Sequence, residues 1–225
     1  MKNHTMWLIA VVAMLFGLSP AKGVVLSDNL SATLANYDYI YYNTSSMSGI
    51  PQHWAASSFT TGTNPLSLQS VILSLQAPAS GALGGTDAQV QIYTDNSGLP
   101  GNPIGSLTSY SPTPIDTARQ YTFTDGGILL DPNSIYWIVA QAPTNGNAYD
   151  IGTTTDPTGN PGGTFQFTYA VYDPAPGAGW TSIPGLTLIR QVTATVIPEP
   201  SAMALFGTAL LLFGLGYRRH AGNIA

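Results

Sequence analysis

Gln69-Ser70-Val71-Ile72-Leu73-Ser74-Leu75 is the stretch whose reading decides the fold. Val71, Leu73 and Leu75 recur at every second position, and a period of two places them on one face of a β-strand rather than on a helix stripe. That face belongs in a core. The same alternation sets Val90, Ile92 and Thr94 against Gln89, Gln91 and Tyr93, and puts Trp137 and Val139 on a shared face, where tryptophan serves core packing more often than ligand stacking.

Outward from these runs, strands are predicted at Val24–Leu30, Tyr37–Tyr42, Trp54–Thr60, Leu68–Gln76, Ala88–Thr94, Ile104–Thr108 and Arg119–Thr124. They continue at Ile128–Leu130, Ile135–Ala142, Ala148–Thr153, Phe165–Tyr172 and Leu186–Val196. The body is rich in Gly, Pro, Ser, Thr and Asn and has almost no Lys or Glu, a composition poor for helices and good for turns and strands. Many short strands between turn signals predict an all-β fold, a single antiparallel β-sandwich of jelly-roll type. The turns have a stated chemistry. In Asp95-Asn96-Ser97-Gly98 the Asp or Asn caps the backbone and Gly supplies positive φ, and Asp125-Gly126-Gly127 is a hairpin signal. Asp131-Pro132, Asp156-Pro157 and Asp173-Pro174 open further turns.

Both ends of the chain read as export signals. Met1 to Gly23 has Lys2 in a basic n-region, an apolar run from Met6 to Leu18, and small residues at Ala21 and Gly23, the pattern of a secretory signal peptide spanning 1–23. At the other end, Pro198-Glu199-Pro200 is followed by an uncharged run, 201–217, and then Arg218-Arg219. The two prolines stop a helix from entering on the N-terminal side. A helix over 201–217 spans roughly 25 Å, just enough to cross a ~30 Å hydrocarbon core. Arg218 and Arg219 hold its C-terminus on the cytoplasmic side, so everything before Pro198 lies outside.

The body between, 24–195, has length for one β domain with a real core. Its basic side chains are Arg119 and Arg190, against ten aspartates, a balance that repels phosphate backbones and excludes nucleic acid as a partner. The chain has no cysteine, which removes disulfides, zinc–thiolate sites and thiol nucleophiles together.

The tail, 196–220, resembles the PEP-CTERM sorting signal of exopolysaccharide-producing Gram-negative bacteria. The resemblance rests on Pro198-Glu199-Pro200, on an apolar run containing Gly207, Gly214 and Gly216, and on the terminal Arg218-Arg219. It implies that an exosortase, a membrane-embedded cysteine transpeptidase, reads and cuts the motif, with Glu199, the chain's one glutamate, as a recognition element. Within the body, Val90 to Gly101 with Ile104-Gly105, Leu129 to Trp137, Phe59-Thr60-Thr61-Gly62 and the Leu68–Leu75 strand together are similar to the choice-of-anchor R domain. That resemblance implies an extracellular β domain carried on a surface-anchoring tail and brings no catalytic residues.

Catalytic chemistry finds little support. An acyl-transfer triad needs a histidine beside a nucleophile, yet the exported segment has His53 alone, in Pro51-Gln52-His53-Trp54, with no Gly-x-Ser-x-Gly elbow. No catalytic residue is assigned, and no cofactor is expected. Calcium is the one candidate ion, with Asp95, Asn96 and Asp131 as oxygen ligands, against the reading that these residues only build turns. Tyr37, Tyr39 and Tyr41 project from one strand face and are candidates for stacking on sugar rings, against the reading that they pack in the core.

The expected protein is non-enzymatic, exported by the Sec machinery, trimmed by signal peptidase and handled by an exosortase-like transpeptidase. It passes through an inner-membrane intermediate to the cell surface or extracellular matrix, in a structural or adhesive role in the polysaccharide layer. Two alternatives stand beside this: a carbohydrate-binding module, and a secreted glycoside-active enzyme with two aspartates converging in one cleft.

Overall fold

The computed structural model describes residues 23–42, 52–76, 88–108, 118–124, 127–142, 148–156, 169–172 and 179–197. All of the predicted signal peptide 1–23 but Gly23, the motif at 198–200, the predicted helix at 201–217, Arg218, Arg219 and the turns at Asp125-Gly126 and Asp173-Pro174 lie outside the described residues. In chain order the strands are β1 (Gly23–Asp28), β2 (Asn36–Tyr42), β3 (Gln52–Thr60), β4 (Leu66–Gln76), β5 (Gln89–Asp95), β6 (Pro100–Ser106) and β7 (Arg119–Thr124). They continue as β8 (Leu129–Leu130), β9 (Ile135–Gln141), β10 (Ala148–Thr154), β11 (Tyr169–Tyr172), β12 (Trp180–Ile183), β13 (Thr187–Leu188) and β14 (Arg190–Val196).

β4, the strand predicted by the opening stretch, is the hub of the sheet. Leu66, Leu68, Val71, Leu73 and Leu75 are buried, while Ser67, Ile72 and Ser74 are half-buried and Gln69 is exposed. The step from Leu68 to Val71 is three residues, which strict alternation would not allow. The register with β14 slips at that point, Thr193 facing Ser70 and Ala194 facing Leu68, so Gln69 is the extra residue of a β-bulge that keeps both apolar sets on one face. β7, β8, β10 and β14 all bond to β4.

Every pairing among the described residues is antiparallel, and none of these residues is helical. The strands form one open sheet in the order β1-β14-β4-β10-β2-β3-β9-β5-β6, with β7, β8 and β13 added to the first half, β11 to β3, and β12 to β11. The two halves are joined by the short β2–β3 ladder, Tyr41 opposite His53 and Tyr42 opposite Gln52. Val71, Leu73, Phe123 and Ile151 from one half and Phe59, Val90, Ile92 and Ile138 from the other belong to a single buried cluster. The sheet therefore turns on itself at β2–β3, and both inner faces bury their apolar alternation in one core. On the edge strand β6, Pro100 and Pro103 sit where a missing N–H breaks no ladder needed for the core and where it discourages pairing with another chain.

Three departures from simple alternation have physical causes. β9 is buried on both faces: Ile138 and Ala140 enter the main core, while Trp137 and Val139 join Ala56 and Tyr93 in a second cluster with Trp54, Leu99 and Trp180 packed against it. Tyr93, grouped by its alternation with the outward-facing Gln89 and Gln91, is thus covered. The expected strand Leu186–Val196 is divided into β13 and β14, because Ile189 between them donates its N–H to the Gly152 carbonyl and accepts from the Ser74 N–H.

A polar cluster crosses the core beside that break. Arg190 is fully buried. Its Nη1 donates to the Thr187 hydroxyl and the Leu188 carbonyl, and its Nη2 donates to the Ser58 carbonyl at 2.8 Å, so one guanidinium ties β13 and β14 to β3. Ser57 and Thr187 share a hydroxyl hydrogen bond of 2.8 Å in the same place. Asn29 adds the β1 side, its Nδ2 donating to the Leu188 carbonyl and its Oδ1 accepting from the Arg190 N–H. Burial lowers the Arg190 pKa to about 9, which leaves it charged at neutral pH.

Candidate functional site

The region with a functional assignment from sequence begins where the sheet ends. β1 and β14 run antiparallel with Gly23 opposite Thr195, so the first described residues and those that precede the sorting motif lie side by side. β14 continues to Val196, opposite Leu66, and the Ile197 N–H then donates to the Pro65 carbonyl at 3.0 Å. Pro198 is the next residue, so no linker separates the sheet from the motif. Val24, Val25 and Leu26 of β1 with Thr60, Leu66 and Val196 line a half-open, mostly apolar cleft of about 260 Å³ at this end.

The tyrosine row lies on β2. Ile40 enters the main core, and Tyr37, Tyr39 and Tyr41 alternate to the other side, as the strand period requires. Tyr37 and Tyr39 are half-buried and Tyr41 is buried. The Tyr39 and Tyr41 rings are 5.3 Å apart and tilted, and Tyr41 stacks nearly parallel on His53 across the β2–β3 ladder, at 5.7 Å and 10°. His53 Nε2 lies 3.2 Å from Asp38 Oδ2, so the histidine bridges the row to a carboxylate.

Of the candidate calcium ligands, the Asp95 carboxylate takes a local role, and Asn96 exchanges backbone hydrogen bonds with Leu99 in the same turn. Asp95 Oδ2 accepts from the Gly98 N–H and its Oδ1 accepts from Trp137 Nε1 at 2.8 Å, so one carboxylate closes the β5–β6 turn and pins the tryptophan. Ser97 and Gly98 both have positive φ, 56° and 84°, as the predicted turn demands of its glycine. Asp131, in the turn before β9, donates its backbone N–H to the Tyr136 hydroxyl; Asn133 in that turn has φ 51°. Among the described residues no three His, Cys, Asp or Glu side chains are grouped to hold a metal ion.

Sequence reading missed three features. The β12 strand brings Trp180 against Trp54, ring centroids 6.4 Å apart, on the outer cluster. The Arg190 crosslink depends on contacts between strands far apart in sequence. Tyr149, on β10, is buried, and its hydroxyl has no hydrogen-bond partner among the described residues. Burial raises its pKa well above 10.0.

An all-β antiparallel domain whose last strand runs straight into a Pro-Glu-Pro segment defines a class: a folded body with a C-terminal processing tail. The family model that describes the PEP-CTERM protein-sorting motif matches residues 196–219, and the chain carries that motif. It indicates an exported bacterial protein processed at the membrane by an exosortase-type enzyme. No curated protein matches the chain. Among solved structures, the chain is similar to infectious bursal disease virus of the Gt strain, at 13% identity and TM-score 0.31, covering 83% of this chain and 45% of that one. It is also similar to the Gx strain, at 11% identity and TM-score 0.28, covering 82% and 42%. The chain thus spans less than half the length of those virus chains, and a likeness this weak carries no argument.

Proposed function

We propose that the protein is a non-enzymatic cell-surface or matrix protein of a Gram-negative bacterium, with a structural or adhesive role in the extracellular polysaccharide layer. In this reading Sec exports it, signal peptidase removes 1–23, the helix at 201–217 holds it in the inner membrane, and an exosortase acts at Pro198-Glu199-Pro200. The observation that carries the reading is the sorting motif at 196–219, set directly on the end of β14. The body is read as a jelly-roll sandwich akin to the choice-of-anchor R domain; the core shared by the two halves of the sheet supports this. The non-enzymatic reading rests on the sequence, in which no nucleophile–base pair can be named. Calcium held near Asp95, Asn96 and Asp131 belongs to the same proposal only as a weak surface ion. The test is to express the full chain in hosts with and without an exosortase and to compare mass and fraction. A shortened product outside the inner membrane only in the first host supports the reading, and identical products in both sink it.

A carbohydrate-binding role is the second reading, favoured by the Tyr39–Tyr41–His53 aromatic row with half-buried Tyr37 beside it. Rings in a row suit the apolar faces of sugars. Replacing Tyr37 and Tyr39 by Ala should abolish retention on the native polysaccharide with the fold intact. Undiminished retention removes this reading.

A further inference from the structure

The end of the domain from which both chain termini leave also carries two large exposed aliphatic side chains. Val25 is 41% exposed and Leu129 is 68% exposed. Val25 lies opposite Thr193, itself opposite Ser70, and Leu129 lies opposite Ser67. Ser67 and Ser70 are on the face of β4 that points away from the core, so Val25 and Leu129 share the outer face of one sheet, near the start of β4. Between them the face carries hydroxyls and an amide: Ser67, Gln69, Ser70, Thr193 and Thr195, with Gln69 bonded to Thr195 and Ser70 to Thr193. The described arginines are elsewhere, Arg119 opposite Leu75 at the other end of β4 and Arg190 opposite Leu73. Asp131 and Asp95 are acidic residues of described turns.

Residues 197–200 are all that separates β14 from the predicted helix, and fully extended they reach at most roughly 14 Å. A domain on so short a tether must keep this end against the bilayer. We infer that the outer face at the start of β4, with Val25, Leu129 and the adjoining apolar cleft, is a lipid-contact surface that seats the anchored precursor on the outer leaflet. The contact is apolar insertion among hydroxyls at headgroup level, so it takes zwitterionic lipid. The inference rests on the membrane-helix reading of 201–217.

The chain has no cysteine, so a single one can be placed at will. Val25→Cys, Leu129→Cys and Leu34→Cys are each labelled with an environment-sensitive fluorophore in the full chain and reconstituted into phosphatidylcholine vesicles. Leu34, 40% exposed in the β1–β2 connection beyond the opposite end of β1, is the reference. All three sites are already exposed, and thermal melts verify that the labelled chains remain folded. The expected result is flotation with the vesicles, several-fold less iodide quenching at positions 25 and 129 than at 34, and quenching of those two by headgroup nitroxide lipid. Flotation with all three labels equally open to iodide overturns the lipid surface while leaving the anchor standing. Failure to float overturns the anchor and the surface together. Protection that arises only when an exosortase is co-reconstituted assigns the face to that enzyme and overturns the lipid assignment.

Discussion

Two buried polar side chains, Tyr149 and Arg190, carry opposite instructions about pH. Tyr149 hides a hydroxyl that has no hydrogen-bond partner among the described residues, and leaving such a group unsatisfied costs about 1–3 kcal/mol. Tyr149→Phe should therefore raise stability by about 1 kcal/mol in urea denaturation at neutral pH. With its pKa raised well above 10.0, the folded chain keeps a phenol proton that the unfolded chain releases, so this group's stabilisation is whole below pH 10 and is lost as pH rises beyond it. Arg190 has the reverse sign: burial lowers its pKa from the ordinary arginine range to about 9, so above that value the unfolded chain holds the extra proton and stability gains from rising pH. Removing the phenol leaves the arginine term alone, and the Tyr149→Phe chain should gain on the parent steadily above pH 10 in a stability–pH series. Arg190→Met removes the three guanidinium hydrogen bonds, to the Thr187 hydroxyl and the Leu188 and Ser58 carbonyls, and although Ser57 still serves Thr187 and Asn29 still serves Leu188, it should cost about 3 kcal/mol by the same denaturation measurement. Arg190→Lys should not rescue it, because one ammonium lacks the planar fork that reaches acceptors on β3 and β13 together.

At the scale of elements, β4 shows what alternation can reveal. Leu73 is fully buried between β14 and β7, so Leu73→Ala should destabilise by about 2–5 kcal/mol, whereas Ser74→Ala on the outer side should change stability by under about 0.5 kcal/mol. Equal effects in thermal melts would contradict the assigned faces. Most strands were legible because their β-branched and aromatic runs are bounded by Gly, Pro, Asn and Asp, as at Arg119–Thr124 and Ile135–Gln141. β12 was not, since Trp180-Thr-Ser-Ile183 is short and lies between Gly179 and Pro184, which read as turn. β6 was placed late by several residues for the same reason: Pro100-Gly-Asn-Pro103 has turn composition and stands in a strand only because it is at the sheet edge. The bulge at Gln69 left its mark as the three-residue step from Leu68 to Val71, a signal present in the sequence but readable only once the pairing with β14 is known. Strand order was invisible, because ladders such as Gly23 with Thr195 join opposite ends of the body and leave no local trace. The Asp95 turn was legible down to its glycine, but its grip on Trp137 was not.

On the scale of the whole molecule, the antiparallel closure of β1 on β14 is the fact with the widest reach. β14 is the last strand of the body, so β1 acquires this partner only after nearly the entire domain has been synthesised. The sorting motif follows β14 with Ile197 alone between Val196 and Pro198. The central claim is that Pro198-Glu199-Pro200 is what a membrane enzyme reads, and that the body is its cargo. The direct measurement replaces the three residues with alanines in the full chain, in a host carrying an exosortase, and determines mass and distribution between membrane and released fractions. The prolines keep the segment out of a helix and accessible to an enzyme, so their loss should leave a full-length species in the membrane while the parent is shortened and released. A triple-alanine chain shortened and released as efficiently as the parent would contradict the account.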